Sequence, residues 1–323
     1  MDQASASPNV HFHDAYPAPT DSHPELLRGL RQAPKRIDPK WFYDARGSAL
    51  FEQITQLPEY YPTRAEIAIL SAHRDAIAER IGNGCVFIEP GSGNCAKAKL
   101  LLDALQPSAY VPLDISANFL RDAALQLGAQ YPWLAVQAIC ADFNCEWTWL
   151  DRLPPGRRVV FYPGSTIGNL EPAAAGRFLA RVRKLVGTDG GMLVGVDLHK
   201  PSARINAAYN DAQGVTARFN LNILEHINAQ LGTRFDTTRF SHRAFYNSEQ
   251  RRIEMHLVSD EAQTVKCNGE TIVFEHGETI HTENSYKYSV EDFAALAATA
   301  GLQLQQSWFD AEQLFSVHYL EAD

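Results

Sequence analysis

Residues 87–99 read FIEPGSGNCAKAK, an apolar run closed by an acid, a glycine pair and a lysine-bearing helix start. Gly91, Gly93 and the small Ala96 fit G-x-G-x-x-G/A, the pattern of a strand-to-helix turn whose backbone comes close to a ligand. A plain tight turn fits the same residues. The next apolar run, AYVPLD, ends in Asp114, at the spacing of about 20 residues where a nucleoside-binding fold places a carboxylate for the two ribose hydroxyls. A nicotinamide dinucleotide and S-adenosylmethionine both need that acceptor.

The two cofactors part at the third run. There CADF sets Asp142 and Phe143 at a strand end, where a carboxylate can accept from an adenine amino group while an aromatic neighbour covers the ring. A third acidic or polar position of this kind is characteristic of class I methyltransferases. For Asp114 and Asp142 alike, a helix N-cap is the plain structural alternative. The fourth run continues into FYPGSTIGNLEP, whose small polar residues from Gly164 to Asn169 lie where a methyl acceptor would meet the cofactor. Ligands collect outside the carboxyl ends of the strands in a doubly wound sheet. A capped strand-to-helix turn fits that loop equally well.

These residues need a scaffold, and the surrounding pattern predicts one. From about residue 62 to 198, short apolar runs (CVFIE, AYVPLD, LAVQAICADF, RRVVFYPGS, GGMLVGVDL) alternate with helical periods, as in a doubly wound α/β sheet. The helix before the first run begins at PTRAE, where Thr63 and Glu66 have capping-box spacing, and carries Ile67, Leu70, Ile77 and Ile81 on one face. Another begins at Pro172, turns Phe178, Val182 and Leu185 inward and stops at Gly187. After residue 198 the rhythm changes to a helical stretch, roughly 202–231, and then to alternating segments. Asn268-Gly269 between two of them signals a hairpin. The last 38 or so residues read as helix then strands that return to the first sheet. The expected division is therefore a loose tail at 1–24, a first domain at 62–198 plus 286–323, and a second, inserted domain at 25–61 plus 199–285. In the tail, His11 and His13 read as solvated rather than as metal ligands.

The 323 residues suffice for two ordinary domains, and 45% apolar with 21% charged residues is the balance of a globular protein. A net charge of −9 without any basic run argues against nucleic acid as a partner. Five cysteines, Cys85, Cys95, Cys140, Cys145 and Cys267, show no C-x-x-C spacing, so neither a disulfide framework nor a zinc site is expected, and a reducing cytoplasm fits. No signal peptide and no membrane span is expected either.

With these residues in view, the chain resembles the histidine Nα-methyltransferases of ergothioneine biosynthesis, which trimethylate L-histidine to hercynine. The resemblance covers nearly everything from about residue 25 onward. It rests on PKWFYDARGSALFEQITQLPEYYPTR, GSTIGNLEP, YNDAQGVTARFN, RIEMHL and TENSYKY, in that order. It implies a class I methyltransferase domain with an added α+β substrate domain, S-adenosylmethionine as cofactor, no metal and a monomeric state. On the cofactor side it implies Gly91, Lys97, Asp114, Asp142 and Phe143. For histidine it implies Tyr60 of PEYYPTR, Asn169 of STIGN, Tyr209 of AAYNDA, and Glu283 and Ser285 of TENSY. Met255 of RIEMH matches a residue lining the substrate pocket, while Tyr43 of WFYDA and Gly164 match positions near the amino group. The turn EPGSGNCAKAK departs from the pattern at Pro90, Asn94 and Cys95, which bears on the fine contacts to the cofactor.

The chemistry of histidine suits this set. Asn169 and Tyr209 offer neutral donors to a carboxylate. Glu283 and Ser285, two apart in a segment that reads as a strand, can point the same way and grip one imidazole. Glu283 would accept from a ring N–H and favour a protonated ring. Tyr43, directly or through a water, would hold the amine in line through successive transfers. An NAD-dependent oxidoreductase would share the glycine turn and Asp114 but leave Asp142, STIGN and TENSY without a role. A catalytically dead binder of the cofactor would not need the full histidine set. A methyltransferase for tryptophan or tyrosine is the nearest rival, and Glu283 opposes it because a carboxylate buried against an apolar ring is costly.

Overall fold

The computed structural model describes residues 8–15, 23–143, 147–267 and 269–323. The chain opens with β1 (Val10–Asp14), α1 (His23–Leu30), β2 (Lys35–Arg36), α2 (Ala45–Thr55), α3 (Tyr61–Ala72) and α4 (Arg74–Ile81). It then alternates through β3 (Val86–Pro90), α5 (Ala96–Leu105), β4 (Ala109–Asp114), α6 (Ala117–Gln130), β5 (Ala135–Cys140), β6 (Arg158–Tyr162), α7 (Pro172–Val186) and β7 (Gly191–Asp197). Next come α8 (Ser202–Tyr209), α9 (Val215–Leu231), β8 (Phe240–Asn247), β9 (Arg252–Ser259), β10 (Gln263–Cys267), β11 (Glu270–Phe274) and β12 (Thr279–Tyr286). The chain closes with α10 (Val290–Thr299), β13 (Leu302–Phe309) and β14 (Phe315–Ala322). Two compact units result: Met1–Pro17 with Pro62–Leu198 and Tyr288–Asp323, and Ala18–Tyr61 with His199–Lys287.

The first unit is built on an eight-stranded sheet in the order β1-β5-β4-β3-β6-β7-β14-β13. All its pairings are parallel except those of β14, which runs antiparallel to both β7 and β13. Helices and loops cover both faces, so β3 and β7 are buried along their whole length, which is why both read as nearly continuous apolar runs. Phe87 and Phe161 stack at 5.3 Å inside the core. This is the doubly wound class expected, with its chain reversal beside β7. Helix α7 starts at Pro172 and ends at Gly187, with Phe178, Val182 and Leu185 buried, as the sequence indicates.

Three expectations change here. The helix ahead of β3 is two helices broken at His73, and Ile67 is exposed while Leu70, Ile77 and Ile81 are buried. Thr63 lies inside α3, so its spacing to Glu66 is not a cap. The segment 10–14, expected to be loose, forms β1 along β5, pairing Val10 with Val136 and Asp14 with Cys140. Two anchors explain that strand. The Asn9 carboxamide donates to the carbonyls of Gly128, Tyr131 and Leu134, at 3.2, 3.1 and 2.8 Å, and so satisfies the open end of α6. The Arg121 guanidinium lies 3.8 Å from the centre of the Phe12 ring.

The second unit holds a four-stranded sheet in the order β2-β12-β9-β8 and the hairpin β10-β11. The expected hairpin forms, with Gly269 in its turn; Asn268 lies outside the described residues. The helical stretch expected over roughly 202–231 is α8 and α9, separated by a turn in which the Asp211 carboxylate accepts the Val215 and Thr216 amides, each at 2.8 Å. Strand β8 carries Ser241, His242 and Arg243, which masked its alternation. Helix α2 packs on α9, where Asp44 caps α2 through the Gly47 amide and also accepts from Asn222 at 2.8 Å.

Replacing Asn9 by Ala should lower unfolding stability by about 1 to 2 kcal/mol, because three partly buried carbonyls lose a donor. Urea unfolding checks this: a change within experimental scatter would mean that water replaces the carboxamide and that β1 is not anchored there.

Candidate active site

In the first unit the strand ends line up. Pro90 pairs with Leu113, and Asp114 pairs with Cys140, so the residues after β3, β4 and β5 emerge at one edge of the sheet. The turn after β3 is drawn over β4 by the Gly91 and Ser92 amides, which both donate to the Leu113 carbonyl, at 2.8 and 3.0 Å. Gly91 has φ +73°, and a Cβ there would meet the Phe143 ring at 3.3 Å. Glycine is thus demanded twice, by the left-handed backbone and by the aromatic ring laid against it. The three departures in this turn find their places. Pro90 ends β3, the Asn94 carboxamide oxygen accepts the Ala96 amide at 3.0 Å, and Cys95 is a buried left-handed residue before α5.

Asp114 sits on this turn. Its carboxylate accepts from the Gly93 amide at 3.1 Å and the Ser116 amide at 3.0 Å. Burial raises its pKa, against those amides and that of Ile115. A carboxylate has about four acceptor positions, so these amides do not exhaust its capacity for a diol. A Cβ on Gly93 would meet nothing within 4 Å, so the outer side of the turn has room for a ligand. Asp142 and Phe143 follow two and three residues after the end of β5 and keep part of their surface accessible. An adenosyl group fits this donor set: a carboxylate for the diol, a second for the amino group, an aromatic face, and the amides of a helix start.

Lys97, expected at the cofactor, is held by a residue read only as a helix cap. Its ammonium lies 2.6 Å from the carboxylate of Glu66, which has no exposed surface. Both Glu66 oxygens accept from the Gly164 amide, at 2.8 and 2.9 Å. Gly195 on β7 leaves the room: a Cβ there would come within 2.0 Å of the carboxylate. Glu66 therefore joins α3, α5 and the loop after β6. In that loop the Ser165 hydroxyl accepts the Asp197 amide at 3.0 Å, and Asn169 closes the short 3-10 turn Thr166–Asn169 ahead of α7. Deeper, Glu89 is buried against the Tyr110 hydroxyl. Desolvation pushes its pKa up to about 8, against the Tyr110 hydrogen bond and Lys97, with Glu66 and Asp114 adding to the rise.

In the second unit, Glu283 and Ser285 share a face of the sheet. A bulge lies between His281 and Glu283, and beyond it Glu283 pairs with Met255 and Ser285 with Ile253, so these four side chains lie on one side. The Tyr209 hydroxyl meets the Ser285 hydroxyl at 2.9 Å, and the ammonium of Lys287 lies 2.7 Å from the same Ser285 oxygen. Tyr209 packs edge-on against Tyr60 at 6.1 Å, Tyr60 against Phe51 at 6.3 Å, and Phe51 against Tyr43 at 6.2 Å. Phe219 of α9 closes the group against Tyr43 and Phe51. Tyr43, Tyr60, Tyr209 and Ser285 are thus one connected cluster. Glu283 keeps some accessible surface, but its carboxyl is desolvated and its pKa rises to about 8, with Lys287 pulling it back down.

Glu254, His256 and His281 place ligand atoms within 4.8 Å of one another elsewhere in this sheet. Their geometry is that of a hydrogen-bonded stack. Arg252 and Asn247 donate to Glu254 at 2.9 and 3.0 Å, His256 meets its other oxygen at 3.0 Å, and the two imidazoles lie parallel at 4.6 Å. Burial favours a neutral His281, with a pKa near 4.

A family model described as histidine-specific, SAM-dependent methyltransferase matches residues 22–322. The chain belongs to this family. It is 42% identical over 302 residues to the histidine N-alpha-methyltransferase of Mycolicibacterium smegmatis, covering 90% of this chain and 93% of that protein. To the enzyme of the same name from Mycobacterium tuberculosis it is 40% identical over 292 residues, 88% and 90% of the two chains. Ergothioneine biosynthesis protein 1 of Neurospora crassa is 32% identical over 295 residues, 86% of this chain and 32% of that longer protein. Family membership makes the chain a methyltransferase dependent on S-adenosylmethionine, the cofactor expected from Asp114 and Asp142. The sequence reading gave Glu66 only a capping role and passed over Phe51, Phe219 and Lys287 as site residues, although all three lie within the quoted motifs.

Replacing Lys97 by Met should strip the buried Glu66 carboxylate of its cation and cost about 3 to 5 kcal/mol. Adding Glu66→Gln should recover most of that loss in urea unfolding; equal losses in both backgrounds would mean the two groups do not act as a pair. A pH effect follows from Glu89. Its pKa is 4.5 ordinarily and about 8 in the fold, so the folded chain holds an extra proton across that window and loses stability as pH rises through it. Glu283 contributes with the same sign. Glu89→Gln should therefore flatten part of the fall in unfolding midpoint between pH 5 and pH 8, and an unchanged slope would show that Glu89 is ionised in the fold.

Proposed function

We propose that this chain trimethylates the α-amino group of L-histidine with S-adenosylmethionine, giving hercynine. The observation that carries the reading is the second-unit cluster, where one sheet face presents Glu283, Ser285 and Met255 and joins Ser285 to Tyr209. In a member of a histidine-specific family, an acid and a hydroxyl on one strand face match the two nitrogens of an imidazole. Tryptophan or tyrosine would leave the desolvated carboxyl of Glu283 against an apolar ring, which favours histidine over the rival aromatic substrates.

On this reading Gly91 and the α5 amides approach the cofactor, Asp114 takes its ribose hydroxyls, Asp142 its adenine amino group, and Phe143 covers the base. Lys97, with Glu66, fixes the turn that carries them. S-adenosylmethionine supplies a methyl group on a sulfonium, open to attack by a neutral amine. The protein's part is to place that amine, and orientation of this kind is worth up to roughly 7 to 11 kcal/mol of barrier. Tyr209, with Tyr60 packed beside it, holds the amino-acid carboxylate, and Tyr43 keeps the nitrogen in line. An amine that loses N–H groups at each transfer and ends as a fixed cation suits the aromatic cluster of Tyr43, Phe51, Tyr60, Tyr209 and Phe219. We place the protein in the cytoplasm as a monomer. Cys85, Cys95, Cys140 and Cys267 are all free thiols, and among the described residues no helix is long and apolar enough to cross a membrane.

Incubation of the purified protein with L-histidine and S-adenosylmethionine should give, by mass spectrometry, transient mono- and dimethylhistidine and then hercynine. Failure to methylate histidine under any condition, with the cofactor bound, would overturn the reading. Glu283→Ala should lower kcat/KM for histidine by about 2 to 4 kcal/mol of transition-state binding while narrowing its lead over tryptophan. An equal loss on both substrates would remove Glu283 from the ring.

A further inference from the structure

Lys287 is buried, 2% exposed, immediately after β12. Its ammonium lies 2.7 Å from Ser285 Oγ, 3.5 Å from the Tyr209 hydroxyl and 5.3 Å from the centre of the Tyr209 ring. Taking a lysine out of water is costly unless its charge is used, and here it is spent on two residues assigned to the substrate. We propose that Lys287 is a positioning residue: it fixes Ser285 as a donor to an unprotonated ring nitrogen, so that the substrate imidazole is bound as one neutral tautomer. This rests on the reading that Glu283 and Ser285 hold the ring.

An ammonium has three donors and no acceptor, so Ser285 Oγ must accept from Lys287. The second partner of that oxygen, the Tyr209 hydroxyl at 2.9 Å, is a phenol. A phenol is a stronger donor and a weaker acceptor than an aliphatic alcohol, so Tyr209 donates as well. Both lone pairs of Ser285 Oγ are then engaged, and its own hydrogen is left for a third group. Of the two imidazole nitrogens, only the one without a proton can receive it. Glu283, on the same sheet face, takes the N–H of the other. Charge points the same way. Lys287 already acts electrostatically on the Glu283 carboxyl, so an imidazolium would add a second cation to a desolvated place that holds one. The protonated ring expected from Glu283 alone is thereby replaced by a neutral one.

The test uses the full chain saturated with S-adenosylhomocysteine and three ligands, bound by calorimetry. They are L-histidine, L-4-thiazolylalanine (a ring acceptor without a ring N–H) and L-3-(2-pyrrolyl)alanine (a ring N–H without an acceptor). Lys287→Met should weaken histidine and the thiazolyl analogue at least tenfold and the pyrrolyl analogue less than twofold. In turnover, the loss for histidine should fall mainly on KM. On a Ser285→Ala background the same substitution should cost less than twofold. Equal losses for all three ligands, or an undiminished effect on that background, would overturn the role of Lys287. If Ser285→Ala and Glu283→Ala leave the ranking of the three ligands unchanged, the ring placement itself fails and the proposal with it. The unmutated protein gives an arm that needs no variant to fold. Its affinity for histidine should fall as pH drops below about 6.5, where free imidazole protonates, while that for the thiazolyl analogue stays level. Histidine binding that holds or strengthens toward pH 5.5 would mean the ring binds as a cation.

Discussion

The carboxylate of Glu66 never meets water, and what it does meet decides the shape of the cofactor-side edge. One cation, Lys97, and one backbone amide, Gly164, share its two oxygens. Each comes from a different strand-end segment: Lys97 from the helix after the glycine turn, Gly164 from the loop after β6. An unpaired carboxylate in that position would be intolerable, so the three segments are fixed by the same requirement. Other features follow from it. Gly195 has to lack a side chain because the carboxylate occupies its space. Strands β3 and β6 are neighbours in the sheet, so the two loops emerge side by side, and the ion pair holds their spacing.

The second unit holds two carboxyl groups in contrasting surroundings. Its sheet carries two polar networks on opposite faces. On one, Glu254 is saturated by Arg252, Asn247 and His256, and its pKa falls to about 2 although burial opposes that. On the other, Glu283 stays desolvated and its pKa climbs to about 8. The same residue type, on adjacent strands, ends at opposite extremes because the donors around Glu254 outweigh its burial, while desolvation dominates at Glu283. A satisfied network serves packing. A carboxyl whose pKa is strongly raised by burial is costly to ionise and is the kind of group found at functional sites.

Much of this was legible beforehand, for identifiable reasons. Strands β3 to β7 were readable because both their faces are covered, which leaves unbroken apolar runs. Asp114 and Asp142 were readable because strand ends are where a doubly wound sheet exposes side chains. Glu283 and Ser285 were readable from a spacing of two, and the bulge beside them leaves that spacing intact. What failed was whatever depends on long-range pairing. Glu66 has cap spacing but a buried partner about 100 residues away in Gly164. The strand at 10–14 has a tail's composition and depends on Asn9 reaching α6. Strand β8 hides its alternation behind His242 and Arg243, and Phe51 and Phe219 look like any core aromatics until the rings of Tyr43 and Tyr60 are found against them.

The neutral-ring inference also bears on the order of events in catalysis. A reaction that begins from an ammonium and ends at a quaternary nitrogen must shed a proton before each transfer. A nearby cation eases that loss, because it disfavours the ammonium. An imidazolium beside Lys287 would raise the local potential and stabilise the neutral amine, but it would repel the cationic product that forms three times over. A neutral imidazole avoids that penalty at every step. In that arrangement the charge around the ring stays constant while the amine changes from a group with N–H donors to one with none. Holding the side chain by hydrogen bonds that do not alter, and leaving the changing nitrogen to aromatic faces, lets one set of residues serve all three methylations.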